Sequence, residues 1–87
     1  MSSTPIKLLL IDDNPADRMI YRRYLLNISD FAYSLWEEEI GQKGIHTARS
    51  VQPDCIVVDY YLPDADGLEV VRRLRSQVDK HQQGLTR

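Results

Sequence analysis

The stretch that decides the fold is Cys55-Ile56-Val57-Val58-Asp59-Tyr60-Tyr61-Leu62-Pro63. It begins with four apolar residues, several of them β-branched, a pattern typical of a short strand buried on both faces of a parallel sheet. The run ends on the carboxylate Asp59, and turn-forming residues follow as far as Gly67. Ligands bind at the carboxyl ends of strands in open α/β sheets, so Asp59 is a candidate reactive residue.

A second apolar run, residues 6–11, also ends on carboxylates, here Asp12 and Asp13. The pair Asn14-Pro15 then predicts a helix start, because Asn caps helices well and Pro fits the first helical position. We expect this helix to run to about Leu26, with arginines on its other faces. Its apolar positions, spaced by four residues, are Ala16, Ile20 and Tyr24, with Met19 beside them.

The middle of the chain predicts a further strand and helix. Residues 31–36 alternate large apolar with small side chains, which favours a strand. We interpret the acidic residues 37–39 as its solvated end rather than as a metal site. A weaker helix is expected over residues 41–50, with Ile45 and Ala48 facing inward. A glycine in this helix, at position 44, should lower its stability.

A third helix is predicted to follow Gly67, with Asp66 placed to cap it. Its apolar residues fall near one face and are Leu68, Val71, Leu74 and Val78. After them the composition turns polar. We therefore divide the chain into an N-terminal tail over residues 1–5, alternating strands and helices over residues 6–78, and a loop or tail over residues 79–87.

Alternating strands and helices predict a single α/β domain over residues 1–87, with helices on a parallel sheet and right-handed crossovers. The expected architecture is a flavodoxin-like, three-layer fold. The most economical arrangement has the first strand in the middle, which gives the strand order 2-1-3. In this order the third strand lies at an edge of the sheet.

The composition excludes several classes of function. A formal net charge of −2 gives no basic surface for nucleic acid. The sequence has no apolar run near the roughly 20 residues that a membrane-spanning helix requires, and its first residues lack the apolar core of a signal peptide. The one cysteine suits a reducing compartment. We therefore expect a cytoplasmic protein that binds neither membrane nor nucleic acid directly.

Three carboxylates should meet at one rim of the predicted sheet, because neighbouring strands lie roughly 5 Å apart. They are Asp12, Asp13 and Asp59. A single aspartate at a strand end is more often a cap than a nucleophile, but three at adjacent strand ends favour chemistry. Their repulsion requires a proton or a cation, and Mg²⁺ with oxygen ligands is the natural solution. One carboxylate could then attack phosphorus and form an aspartyl phosphate.

The motifs resemble those of response-regulator receiver domains, which have the CheY-like fold. The resemblance covers residue 6 to about residue 78 and consists of an acidic pair after the first strand and an Asp after the third. Pro63 and Gly67 follow that Asp at the spacing of the family, four and eight residues on. The resemblance implies a signalling phosphoacceptor rather than an enzyme, capable at most of self-catalysed phosphotransfer and dephosphorylation.

The resemblance also implies a role for each site residue. Asp59 would accept a phosphoryl group from a histidine kinase or a phosphotransfer protein in a two-component system. Asp13 would bind Mg²⁺ directly together with Asp59, Asp12 would support the ion through water, and the backbone carbonyl of Tyr61 would complete the protein ligands. Receivers have five strand–helix units, whereas this sequence supplies three. It therefore lacks the hydroxyl residue and the lysine that contact the phosphoryl group in the family.

We expect either that the chain is a piece of a longer receiver or that a partner supplies the rest. The third strand would then expose an apolar edge, over which two copies could pair as a homodimer. A haloacid-dehalogenase-type phosphatase needs a second Asp at position 61, which is Tyr. A flavin mononucleotide binder would be repelled by the acidic first loop. The remaining alternative is a receiver-like interaction module that is never phosphorylated.

Overall fold

A computed structural model describes residues 5–27 and 32–81. The chain order is β1 (Ile6–Ile11), α1 (Pro15–Asn27), β2 (Tyr33–Glu38), α2 (Gly41–Val51), β3 (Cys55–Val58) and α3 (Gly67–His81). Residues 1–4, 28–31 and 82–87 lie outside the described residues, and they include most of the predicted tail over residues 1–5, the first residue of the predicted second strand and part of the predicted loop or tail over residues 79–87. No helix within the described ranges is long and apolar enough to cross a membrane.

The three strands form one parallel sheet in the order β2-β1-β3, so the predicted fold class and strand order are confirmed. The central strand β1 places Ile11 opposite Glu38 of β2 and opposite Val58 of β3. All three strands therefore end at the same rim of the sheet. The residues that follow β1 and β3 are brought together there.

The core lies on the face of the sheet that α2 and α3 cover. Its buried members are Leu9, Ile11, Ile45, Ala48 and Val70. The predicted inward residues of α2 are thus confirmed. The glycine at position 44 has a packing role, because a Cβ there would lie 2.4 Å from Cδ1 of Ile11.

The other face of the sheet carries α1. Side chains alternate across a strand, so Glu37 lies on the face opposite Trp36, which packs against the core. The α1 residues Arg18 and Arg22 bind Glu37, and this places α1 on that opposite face. The helix is only loosely packed: Ile20 and Tyr24 are 63% and 69% exposed.

Three details of the sequence interpretation are wrong. The second strand runs from Tyr33 to Glu38, beyond its expected end at residue 36, so Glu37 and Glu38 lie within the strand and are partly buried. The third helix continues past residue 78 to His81, so residues 79–81 are not loop. Of its predicted apolar face, Leu74 packs against the core as expected, but Leu68 and Val71 are exposed, and the fully buried residue is Val70. The helix begins at Gly67, and tight packing there fixes its rotation about its axis.

Candidate functional site

The end of β1 holds Asp12 in a fixed position. Asp12 is 5% exposed, and its N–H donates a hydrogen bond of 3.0 Å to the carbonyl of Glu38 in β2. The Asp12 carboxylate accepts a hydrogen bond of 3.0 Å from the N–H of Asn14. The bond from Asn14 is local, because the chain leaves the sheet here and turns into α1, whereas the bond to Glu38 continues the β1–β2 pairing by one residue. The carboxylate is therefore buried at the rim rather than free in solvent.

The start of α1 is capped as predicted. The side-chain oxygen of Asn14 accepts hydrogen bonds from the N–H groups of Ala16 and Asp17, at 2.8 and 3.4 Å. Pro15 occupies the first helical position. This cap turns the chain sharply after Asp13, which remains exposed at the rim.

The carboxylate of Asp59 completes the cluster. The N–H of Asp59 donates to the carbonyl of Ile11 at 2.8 Å, which continues the β1–β3 pairing by one residue. Carboxylate oxygens of Asp12, Asp13 and Asp59 all lie within 4.8 Å of one another. The structure thus brings together the three side chains that the sequence selected. Oxygen atoms this close suit a hard divalent cation.

The loop after β3 is tightly folded. The N–H of Gly67 donates to the carbonyl of Tyr60 at 2.7 Å, and a Cβ at Gly67 would lie 2.8 Å from the carbonyl oxygen of Asp59. Only glycine fits this approach without moving the backbone. Tyr61 and Asp66 pair as an isolated antiparallel β-bridge. Its hydrogen bonds are made by the neighbouring residues, from Gly67 to Tyr60 and from Leu62 to Ala65, so the bridge makes no hydrogen bond to the Tyr61 carbonyl.

Two tyrosines follow Asp59 on the surface of this loop. The rings of Tyr60 and Tyr61 meet edge to face with centroids 4.8 Å apart. The Tyr61 side chain is 78% exposed, beside the acidic cluster in the chain. Two aromatic side chains therefore follow Asp59 directly in the chain.

A third acidic residue of this loop has a role that the sequence did not assign. The carboxylate of Asp64 accepts hydrogen bonds from the N–H groups of Gly41 and Gln42, at 2.7 and 2.8 Å, and so caps α2. These bonds lower the pKa of Asp64, the one from Gln42 most strongly. The two-residue connection between β2 and α2 supplies no side-chain cap of its own. The sequence predicts only a turn here, and the helix that Asp64 caps begins 23 residues earlier in the chain.

The acidic residue Glu37 also differs from its sequence interpretation. Its carboxylate accepts hydrogen bonds from Arg22 at 2.8 Å to each oxygen and from Nε of Arg18 at 3.1 Å. The bonds from Arg22 chiefly hold the pKa of Glu37 below its ordinary value, Arg18 contributes less, and partial burial opposes both. Glu37 therefore joins α1 to the sheet, and its carboxylate is only partly exposed to solvent.

Comparison with known proteins identifies the family to which these features belong. The family model of the response regulator receiver domain matches residues 8–83. The chain belongs to the response regulator receiver domain family. Members of this family act mainly in signalling, as receivers of two-component systems.

Curated relatives agree with this assignment. The receiver is 42% identical over 77 residues to the transcriptional regulatory protein TrcR of Mycobacterium tuberculosis, an alignment that covers 83% of this chain and 27% of that protein. It is 34% identical over 73 residues to the nitrate/nitrite response regulator protein NarL of Escherichia coli, with 84% and 33% covered. The chain thus spans about a third or less of the length of these relatives.

Solved structures share the fold. A two-component response regulator of the LuxR family from Aurantimonas sp. SI85-9A1 is 28% identical and superposes with a TM-score of 0.75, over 85% of this chain and 52% of that one. The MaeR D54A mutant response regulator, bound to sulfate, gives a TM-score of 0.76 over 85% and 60% at 22% identity, which supports the fold alone.

Proposed function

We propose that this receiver accepts a phosphoryl group on Asp59 from a histidine kinase or a phosphotransfer protein, with Mg²⁺ as cofactor. The observation that carries the proposal is the cluster of three carboxylates at the carboxyl rim of the sheet, with oxygens within 4.8 Å. Such a cluster is unfavourable without a counter-charge. The proposed setting is the cytoplasm, which suits the free cysteine, Cys55.

The donor set fits Mg²⁺. Asp13 and Asp59 would be direct ligands, Asp12 would act through water, and the carbonyl of Tyr61 would be the neutral ligand. When bound, the ion supplies positive charge that offsets the repulsion between the carboxylates and an incoming phosphoryl group. The hydrogen bond from Asn14 keeps Asp12 oriented toward this set.

In the proposed transfer, a carboxylate oxygen of Asp59 forms a bond to phosphorus. The P–N bond of the donor phosphohistidine breaks, and its electron pair returns to the imidazole nitrogen. The chain's own part is to hold the Asp59 backbone through its bond to Ile11 and through the close approach of Gly67. These contacts fix the backbone of Asp59, and its carboxylate is the group proposed to react.

The phosphoacceptor is tested by treating the protein with a small-molecule phosphodonor and Mg²⁺ and locating the base-labile adduct by mass spectrometry. We expect the adduct on Asp59 alone and no adduct in Asp59→Asn. An adduct on Asp12, Asp13 or Asp54 would overturn the assignment. Asp54 is a useful internal control, because its carboxylate instead accepts a hydrogen bond from the N–H of Lys7.

The metal site is tested by Mg²⁺ titration. Asp13→Asn or Asp59→Asn removes a charged ligand, and we expect affinity to fall by about tenfold or more. Glu39→Gln is the matched control, because this exposed acid follows β2 at the same rim. Its affinity should stay close to that of the unchanged protein. Equal losses in all three variants would show that only bulk negative charge attracts the ion.

Tyr61 supports a subsidiary proposal on the lifetime of the phosphoryl group. An exposed ring two residues after Asp59 can impede the approach of the hydrolytic water. Tyr61→Ala should therefore shorten the lifetime, measured by the decay of the adduct. Tyr60→Ala is the control for the loss of the ring pair. Equal lifetimes in Tyr61→Ala and the unchanged protein would discard this role.

The second candidate function is an interaction module that is not phosphorylated. The position of β3 at an edge of the described sheet favours it. A groove beside this edge has a mostly apolar lining that includes Ile56, Val58, Val71 and Leu74, together with the charged residues Asp54 and Arg75. The strand contains no lysine or proline to oppose pairing. Mg²⁺-dependent binding of beryllofluoride supports the phosphoacceptor, whereas no binding at saturating concentrations favours the module.

The partner proposed for this edge is a second copy, with the two β3 strands paired antiparallel around a two-fold axis. Sedimentation at several concentrations tests this. A sedimentation coefficient that rises with concentration is expected, and Val57→Lys should abolish the rise. A monomer at every concentration would reject the homodimer.

A further inference from the structure

Arg18 of α1 connects the end of β1 to β2. One terminal nitrogen, Nη1, donates a hydrogen bond of 2.6 Å to the backbone carbonyl of Asp12. The Nε atom of the same guanidinium donates to the carboxylate of Glu37 at 3.1 Å. The Arg18 side chain is 18% exposed, so solvent competes weakly for both bonds. A single planar group thus bridges two strands next to the acidic cluster.

The hydrogen bond from Arg18 to the Asp12 carbonyl restrains the backbone of both Asp12 and Asp13. A peptide group is planar, so the direction of the Asp12 carbonyl also sets the position of the Asp13 nitrogen. The N–H of Asp12 is already held by the carbonyl of Glu38 at 3.0 Å. Asp13 is exposed, and its carboxylate therefore depends on the backbone for its position. Asp12 is thus held through its N–H by β2 and through its carbonyl by Arg18, and the second of these bonds fixes the peptide that joins the two aspartates.

Arg18 is itself held in place. Its acceptor Glu37 also accepts two hydrogen bonds from Arg22. Nε of Arg22 donates to one carboxylate oxygen and Nη2 to the other, each at 2.8 Å. Charge-assisted bonds of this length are among the stronger ones in proteins. Arg22 is 44% exposed. It shares the acceptor Glu37 with Arg18, but it is one turn farther along α1, and no bond joins it to Asp12 within the described residues.

We propose that Arg18 is a positioning residue for the acidic cluster. It orients the Asp12–Asp13 peptide so that the Asp13 carboxylate meets that of Asp59. The inference rests on the proposed function in one respect, that Mg²⁺ is the ion bound by the cluster. The positioning itself is a property of the chain and is also measurable without metal.

Arg18→Met and Arg22→Met form a matched pair. Each removes one positive charge and one partner of Glu37, and only Arg18→Met also frees the Asp12 carbonyl. Charge alone would make both variants bind Mg²⁺ more tightly, because a nearby repulsive charge is lost. Positioning predicts the opposite for Arg18→Met. The sign of the change therefore separates the two effects.

We expect Arg18→Met to weaken Mg²⁺ binding by about tenfold, the range found for residues that orient metal ligands. Arg22→Met should stay within about twofold, since exposed charges are screened. Binding is followed from the amide resonances of Asp13 and Asp59. Arg18→Lys keeps the charge but loses the planar fork that reaches both acceptors. It should show an intermediate loss of affinity.

Amide exchange without metal gives the second measurement. Arg18→Met and Arg18→Lys should speed exchange at Asp13 and Asn14 more than Arg22→Met does, at matched global stability. Where Arg18→Met is too unstable for Mg²⁺ titration, the exchange rates of Arg18→Lys still test whether Arg18 positions the cluster.

The positioning role is wrong if Arg18→Lys has the Mg²⁺ affinity and the amide exchange rates of the unchanged protein. It is also wrong if Arg18→Met and Arg22→Met change these quantities alike. An unchanged protein that binds no Mg²⁺ contradicts the proposed function instead, and the exchange rates then decide the positioning alone.

Discussion

On one face of the sheet, α2 and α3 bury apolar side chains against Leu9 and Ile11, whereas on the other face none of the thirteen described residues of α1 is buried. The first face is held by close packing, which leaves no room for a Cβ at Gly44. The second is held by ion pairs between two arginines and Glu37. The acidic cluster lies at the rim where these two faces meet.

This difference means that the two faces should respond to different perturbations. Apolar burial contributes about 25 cal/mol per Å² and depends little on salt or on mild acid. Ion pairs near the surface contribute about 0–1 kcal/mol each and weaken with salt. The face that carries Arg18 should therefore respond to salt and to acid more strongly than the packed face does. The following changes test that contrast.

The largest effect is expected from a truncation in the core. Leu9→Ala removes a fully buried side chain and should lower the free energy of unfolding by about 2–5 kcal/mol. Ile20→Ala on α1 is the matched control, since Ile20 is 63% exposed, and it should change stability by about 0.5 kcal/mol at most. Urea denaturation measures both. Equal losses would mean that α1 is packed as tightly as α2.

A substitution at Gly44 probes the tightness of the packed face. Helix propensity alone favours alanine by about 1 kcal/mol. The added Cβ would lie 2.4 Å from Cδ1 and 2.8 Å from Cγ1 of Ile11, and overpacking typically costs about 1–3 kcal/mol. We therefore expect Gly44→Ala to lower the melting temperature.

The double variant Gly44→Ala/Ile11→Val should recover part of this loss, because valine lacks the Cδ1 atom. Additive losses in the double variant would show that the two residues do not compete for the same space.

Asp64 joins the loop of the site to the packed face. Asp64→Ala removes the cap of α2 and should lower the free energy of unfolding by about 1 kcal/mol. Asp64→Asn keeps one oxygen acceptor and should cost less. Amide exchange at Gly41 and Gln42 measures the cap directly. Unchanged exchange in Asp64→Ala would contradict the capping role.

The smallest expected effects are those of acid and salt on α1. The folded-state pKa of Glu37 lies below its ordinary value of 4.5, so the stability that it contributes is fully present above that pH. It is lost as the pH falls through the folded-state pKa. As the pH falls below about 4.5, amide exchange in α1 should therefore speed up earlier than exchange in α2. The same order is expected as the salt concentration rises.

Glu37→Gln provides the control for this acid dependence, because it removes the titrating group. Its α1 exchange should be faster at neutral pH and should respond less to acid. An acid response equal to that of the unchanged protein would assign the effect to other carboxylates.

The sequence by itself determined the order of elements, the strand order and the three carboxylates of the site. Apolar runs that end on Asp12, Asp13 and Asp59 are local patterns, and parallel pairing of adjacent strands then brings their ends together. The cap by Asn14 was predictable for the same reason, since donor and acceptor lie within three residues. Such features need no knowledge of how helices pack.

Tertiary structure decided the rest. Glu37 and Asp64 find their partners 15–23 residues away in the chain, and no local pattern specifies such pairs. The inward residue Val70 depends on the rotation of α3 against α2, which close packing around Gly41 and Gly67 determines. Sequence periodicity defines a face only to within a residue or so, whereas van der Waals contact selects one side chain.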